Sequence, residues 1–504
     1  MAADAAAYNC TPGAYLDYAL QPHAPFSGGI YNLSSMRPDP ACRTFNSSIV
    51  ESTVESVASR IADPDLRRLF SNAYPNTLDT AIRWKGYADG SDEELTINAM
   101  WLRDSANQMQ SYLPLLTADD SPDSLASLYR GVINLQARYL LLDPYCNSFQ
   151  PPVESGVDPS PNPSASEDVV FPNYTNTSVF ECKYELDSLA AFLEVSTDYY
   201  NATQDATFFK KYCWVQAVEA VLEVAENMTV PTYQADGNVS VLSYSFTRLT
   251  TRSSETTEND GLGNPFNNGT GLVRSFFRPS DDSTIFQGFI PANMMFSRFL
   301  ASSAAIADAI GESDLSSRMT TMACNLRTAI TNHGIVDTAA YGQIYAFEVD
   351  GYLSQNIMDD ANIPSLLAAP FFGYLDVADP VYQNTRKLLL SANNPYFMRG
   401  PWISAIGGAH DGPGYAWPMA SIVRILTSSD EAEITRQWQE IVSTTDGLGL
   451  VHESINTFNV SDWTRQWFSW ANGLFGQMIL DLDERRPKIL QQSFQGNVSV
   501  GYDG

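Results

Sequence analysis

Four short strings set carboxylates beside arginine, tryptophan or histidine at the edges of helical patterns. They are Trp101-Leu102-Arg103-Asp104-Ser105, Arg278-Pro279-Ser280-Asp281-Asp282, Asp359-Asp360-Ala361-Asn362 and Val451-His452-Glu453-Ser454. Carboxylates move protons when their surroundings tune them. With forked donors such as arginine they also hold the hydroxyls of a sugar, whose apolar faces pack on Trp and Tyr. Taken singly, Asp104, Asp281 and Asp360 are explained as helix caps, and His452 as a packed or solvent-facing ring. Trp101, Trp402, Trp417, Trp463, Trp467 and Trp470 are each explained by core packing, the last three at helical spacing. Their joint occurrence at loop-to-helix junctions points instead to a saccharide site.

Other chemistries find little support. The four histidines, at 23, 333, 410 and 452, are not paired at three- or four-residue spacing, and no EF-hand loop is present, so no metal is expected. There is no dinucleotide fingerprint after a strand, no phosphate loop and no nucleophile elbow, so no cofactor is expected either. The 504 residues carry 58 acidic against 29 basic side chains, a formal charge of −29. Such a chain is repelled by nucleic acid and by anionic membranes. No apolar run reaches the roughly 18 residues of a membrane span. A monomer is expected.

Charged residues make up only 17% of the chain, so its polar surface is largely uncharged. Six cysteines, at 10, 42, 146, 182, 213 and 324, lack C-x-x-C pairing and leave room for three disulfides. Eleven asparagines open N-x-[ST] sequons: Asn9, Asn32, Asn46, Asn173, Asn176, Asn201, Asn227, Asn238, Asn268, Asn459 and Asn497. Low charge, an even cysteine count and dense sequons read as a secreted eukaryotic glycoprotein. The start, Met1-Ala2-Ala3-Asp4, has neither a basic nor an apolar leader region, so a signal peptide is expected to have been removed.

The elements that must position these residues are helical. Leu125, Leu128, Val132, Leu135, Tyr139 and Leu142 recur at steps of three and four after Asp120-Ser121-Pro122, and a second clear pattern runs from Pro291 to Ile310 and stops at Gly311. Similar patterns cover 56–70, 104–116, 185–197, 205–228, 313–332, 362–374, 380–391, 414–427, 430–443 and 466–483. About twelve helices result, with polar loops at 147–178 and 231–270. Residues 1–55 read as an irregular arm packed on a body spanning 56–486, and 487–504 as a tail. Six helical hairpins would suit an all-α (α/α)6 barrel, although periodicity alone does not show closure.

Several strings resemble glycoside hydrolase family 125. They are Met100-Trp101-Leu102-Arg103-Asp104-Ser105, Lys183-Tyr184-Glu185-Leu186-Asp187-Ser188-Leu189, Phe277-Arg278-Pro279-Ser280-Asp281-Asp282, Phe347-Glu348-Val349-Asp350-Gly351, Met358-Asp359-Asp360-Ala361-Asn362-Ile363-Pro364 and His452-Glu453-Ser454. Tyr74-Pro75-Asn76-Thr77-Leu78-Asp79-Thr80 and Trp467-Phe468-Ser469-Trp470-Ala471-Asn472 are similar as well. The resemblance runs in order from about 56 to 483. It implies an (α/α)6 barrel and a metal-independent, inverting exo-α-1,6-mannosidase acting on terminal mannose of mannans or N-glycans.

Carried over by position, the resemblance makes Asp281 the general acid and Glu453 the general base. Arg103 and Asp104 draw on a looser similarity to related α/α-barrel glucosidases, in which an Arg-Asp pair grips the terminal sugar. Arg278, Asp282, Glu185, Asp187, Asp360, Asn362, His410 and His452 complete the candidate sugar-binding set. The family usually continues Glu-Ser-Phe where this chain has Glu453-Ser454-Ile455, a change that bears on packing and not on the carboxylate.

Elementary electrostatics agrees with these roles. Adjacent Asp281 and Asp282 would raise one another's pKa, keeping an acid protonated, while Arg278 would oppose this if turned inward. Glu453 must stay ionised, which His452 or a nearby arginine would favour. An inverting pair of carboxyls stands about 6.5–9.5 Å apart. A catalytically silent sugar-binding glycoprotein is the rival reading, and the presence of both Asp281 and Glu453 speaks against it. Glu453 likewise makes a phosphorylase on such a barrel the weaker reading.

Overall fold

Where the apolar rhythm is strongest, helices form as expected in a computed structural model, which describes Cys10 and residues 14–267 and 269–495. Among the described residues twelve α-helices run nine residues or longer. The helix Leu125–Leu142 is capped by Ser124, whose hydroxyl accepts the Ser127 amide at 3.1 Å, so Pro122 lies outside its first turn. Ile290–Ala309 starts on Pro291 and ends before Gly311, which takes φ +88°.

Elsewhere local chemistry breaks the pattern. The expected helix at 56–70 is two helices, Ser48–Ala58 and Pro64–Ala73. The second starts afresh because Asp63 caps it, accepting the amides of Asp65 and Leu66, with Pro64 at its first position. The pattern at 205–228 also divides, into Ala206–Lys211, capped by Asp205, and Trp214–Asn227. At 362–374 there is no α-helix but a run of bends and turns. Pro364 and Pro370 supply no amide hydrogen there, and the Asp359 carboxylate takes the amides of Leu366 and Leu367 at 2.8 and 2.9 Å. The last α-helix among the described residues is Ser469–Arg485, so Trp463 and Trp467 precede it and their helical spacing is coincidental.

The polar stretches at 147–178 and 231–270 are ordered by short strands. Ser148–Phe149 pairs with Val179–Glu181, and Val169–Phe171 with Ser245–Thr247. Disulfides join Cys146 to Cys182 and Cys10 to Cys42, whereas Cys213 and Cys324 are free thiols. No helix of the described residues is long and apolar enough to cross a membrane.

The described chain divides into two units. One comprises the chain up to Arg83, Asn107–Leu115 and the chain from Pro395; there Ser469–Arg485 packs on Pro64–Ala73 and Pro418–Leu426. The other comprises Trp84–Ala106 and Leu116–Asn394. In it Ile290–Ala309 packs between Ser313–His333 and Leu186–Thr203, and Leu125–Leu142 lies on the strand Glu94–Ile97. Gly131 permits that last approach, since a Cβ there would collide with Thr96.

Candidate active site

In the second unit, the pairing of Ser148–Phe149 with Val179–Glu181 and the Cys146–Cys182 bridge fix Asn147 beside Lys183, whose amide donates to Asn147 Oδ1 at 3.0 Å. The Leu102 amide donates to the Asn147 carbonyl at 3.0 Å, which seats the first turn of the helix Leu102–Gln110 at the same place. Arg103 on that turn is buried. It donates to Glu185 Oε2 at 2.7 Å, to Asp187 Oδ2 at 3.1 Å and to Asp104 Oδ2 at 3.2 Å. Burial pushes the Asp187 carboxyl up to about 6, against the pull of Arg103.

Asp281 joins this cluster. Its Oδ1 accepts from Asn147 Nδ2 at 3.0 Å, the Asn147 amide also reaches Glu185 Oε1 at 3.3 Å, and Lys183 Nζ donates to the Asp281 carbonyl at 2.8 Å. The turn holding it is closed by Arg278 N–H to Asp282 O at 2.8 Å and Asp281 N–H to Arg278 O at 2.9 Å. Asp281 takes the left-handed φ of +63° there, a conformation uncommon outside glycine that clusters at functional sites.

That residue separates the two adjacent aspartates. Asp281 is half-buried, while Asp282 is buried and accepts the Ser280 hydroxyl at 3.1 Å. Asp360, next to it, is raised to about 6, by burial first and then by the Asp282 charge, with Arg278 opposing. Its Oδ1 accepts the Asn362 amide at 3.2 Å. Arg278 turns to Glu348 at 2.7 Å, and Glu348 is held in turn by the amides of Ile285 and Phe286. The pairing expected between Asp281 and Asp282 therefore gives way to two others, Asp281 with Glu185 and Asp282 with Asp360.

In the first unit, Asn472 on the helix Ser469–Arg485 pins Val451, donating to its carbonyl and accepting its amide at 2.9 Å each. Ile455–Asn456 pairs with Tyr415–Ala416 and with Asn459–Trp463, and Ile455 is buried. Glu453 is thereby held with Oε2 accepting the Thr464 hydroxyl at 3.0 Å and Oε1 at 3.2 Å from Arg465 Nη1. Burial raises its pKa, Arg465 and His410 lower it, and Asp411 raises it.

Of the two groups expected to favour ionised Glu453, His452 or a nearby arginine, His452 is not a cation. It is wholly buried, stacks on Trp463 with centroids 4.8 Å apart, and burial drives its pKa down to about 4. The neutral ring donates through Nδ1 to the Arg465 carbonyl at 3.1 Å. His452 packs the loop against Trp463, and the positive charge beside Glu453 is that of Arg465.

The structure brings Arg103, Asp104, Glu185, Asp187 and Asp281 into one cluster. Arg278, Asp282, Asp360 and Asn362 form a second, and His410 and Glu453 lie together. Asn147, Lys183, Glu348, Thr464 and Arg465 were not among the candidates read from sequence. Among the described residues no group of three or more His, Cys, Asp or Glu is placed to hold a metal ion.

The profile of the metal-independent alpha-mannosidases (GH125) matches residues 63–480. The Meiotically up-regulated gene 157 protein of Schizosaccharomyces pombe is 44% identical over 485 residues, 95% of this chain and 94% of the yeast protein. A Streptococcus pneumoniae metal-independent alpha mannosidase, solved as a non-productive complex with alpha-1,6-mannobiose, superposes with a TM-score of 0.76 at 31% identity. That match covers 88% of this chain and all of the bacterial one, and it shows the all-α class of (α/α)6 barrels. A carboxylate-rich site on this fold, with a family match over most of the chain, makes the protein a glycoside hydrolase that belongs to the metal-independent alpha-mannosidases of family GH125.

Proposed function

We propose that this mannosidase is a secreted, inverting exo-enzyme that removes terminal α-1,6-linked mannose, with Asp281 as general acid and Glu453 as general base. The observation that carries the linkage is the likeness, at 31% identity over 88% of the chain, to a relative solved with alpha-1,6-mannobiose. The roles are supported by the two carboxyl environments. Asp281 is half-exposed beside a second carboxyl group, as suits a proton donor, and Glu453 is held by Arg465 and Thr464, as suits an ionised base.

Asp281 gives its proton to the glycosidic oxygen as the bond to the anomeric carbon breaks. Water attacks that carbon from the opposite face and loses a proton to Glu453, so β-mannose leaves with a free alcohol. Arg103, Asp104, Asp187, Asp360, Asn362 and His410 are assigned to the sugar hydroxyls. Secretion is supported by the sequons. Asn32, Asn46, Asn173, Asn176, Asn201, Asn238 and Asn459 are exposed and Asn227 is half-buried, whereas Asn9, Asn268 and Asn497 lie outside the described residues. The likeness to a yeast protein supports a fungal origin. Incubation with a panel of α-linked mannobioses tests the linkage: release from the 1,6 isomer alone supports it, and preference for another isomer refutes it.

A further inference from the structure

We infer that Glu185 is a positioning residue for the general acid: its carboxyl and that of Asp281 share one proton, and this sharing fixes the pH above which turnover fails. The inference deepens the proposed role of Asp281 and rests on it.

The geometry sets the two carboxyls side by side. Asp281 and Glu185 converge on one Asn147 amide, and two carboxyls held this close in a buried setting cannot easily both ionise, so the pair favours holding one proton. Asn147 bridges them, its amide at 3.0 Å from Asp281 Oδ1 and 3.3 Å from Glu185 Oε1, which fixes their mutual orientation. Arg103 holds Glu185 from the other side at Oε2. Glu185 is buried and Asp281 half-exposed, so only the shared proton on Asp281 can reach a glycosidic oxygen.

The surrounding charges come from three elements. Arg103 and Asp104 stand on the helix Leu102–Gln110, Asp187 on Leu186–Thr203, and Glu181 with Lys183 at and just beyond the strand Val179–Glu181. Burial lifts Glu185 well above the usual carboxylate range; Arg103 opposes this, while Asp281 and Asp187 add to it. Tyr244 also faces Glu185. When Asp281 releases its proton to the leaving oxygen, the pair becomes doubly ionised beside Arg103 and Lys183, and it regains the proton from solvent after product departs.

Glu185→Gln keeps the shape of the side chain but offers no titrating proton, and its amide donates to an ionised Asp281. The alkaline limb of kcat/KM against pH should then move down by about one pH unit or more. Asn147→Ala removes a donor to both carboxyls and should move the same limb upward. Both profiles are compared with that of wild type, with thermal unfolding as a check on folding and Asp281→Asn assayed alongside. Opposite shifts with Asp281→Asn inactive support the inference, and coincident profiles with Asp281→Asn inactive overturn it. Full activity in Asp281→Asn overturns the acid assignment itself. If Glu185→Gln does not fold, the Asn147→Ala limb decides alone, an upward shift supporting the shared proton and an unchanged limb refuting it.

Discussion

Asp281 and Asp282 are consecutive in the chain, yet their carboxyl groups answer to different partners, Asn147 for the first and Ser280 for the second. The left-handed backbone at Asp281 produces this, and it leaves Asp281 half-exposed while Asp282 is buried. Asp281→Asn should therefore lose about a hundred- to ten-thousand-fold in kcat. Asp282→Asn should lose much less in turnover and show its effect chiefly in thermal stability. Steady-state kinetics and melting curves on both variants check this, and equal loss of turnover in the two would contradict the division of roles.

Arg465 should govern the acid limb of the activity profile. Its guanidinium favours the ionised form of Glu453 against the burial that raises the carboxyl. Replacing it by Gln removes the favourable charge, so the Glu453 pKa rises further. The acidic limb of kcat/KM should then shift to higher pH with the alkaline limb unmoved. A limb that stays in place would show that Arg465 does not act on the base.

His452 should make the fold sensitive to acid. Its pKa falls from 6.5 to about 4 on folding, so the unfolded chain binds the extra proton first. The stability this neutral ring contributes is complete above about pH 6.5 and is lost as pH falls towards 4, a difference of a few kcal/mol. His452→Phe keeps a ring against Trp463 and does not titrate, although it loses the bond to the Arg465 carbonyl. Urea unfolding at pH 7.5 and pH 4.5 should show the wild type losing its advantage over the variant at the lower pH. A constant difference between the two proteins would contradict this.

Protein secreted from a eukaryotic host should carry N-glycans on several of Asn32, Asn46, Asn173, Asn176, Asn201, Asn238 and Asn459, because an attached glycan needs an exposed asparagine. Asn227 should be the poorest acceptor of the described sequons. Glycopeptide mapping that finds every site bare would remove the support for secretion and leave the catalytic proposal untouched.

The charged groups that the structure gathers into clusters were legible because they stand in strings of unusual chemistry. Arg103-Asp104 and Glu185 with Asp187 stand at helix starts and Arg278 with Asp281 in a tight turn, each a set of charges that local structure must hold. Asn147 gave no such signal, being one amide in a Pro-, Ser- and Asn-rich stretch, and only strand pairing and the Cys146–Cys182 bridge aim it at two carboxyls. Arg465 gave no signal either, and it is more than half exposed while its guanidinium lies 3.2 Å from Glu453. The failed helix at 362–374 has a visible cause in hindsight, since Asp359 competes for the amides a helix would use and two prolines supply none. Between His452 and a nearby arginine as the charge beside Glu453, sequence could not choose, because the burial that keeps His452 neutral comes from the fold.

The central claim is that Glu453 activates water rather than attacking the sugar itself. Proton NMR of the first product from α-1,6-mannobiose, recorded before mutarotation, tests it most directly. The account predicts that β-mannose appears first and the α anomer only as equilibration proceeds. An initial signal from α-mannose would contradict the inverting mechanism.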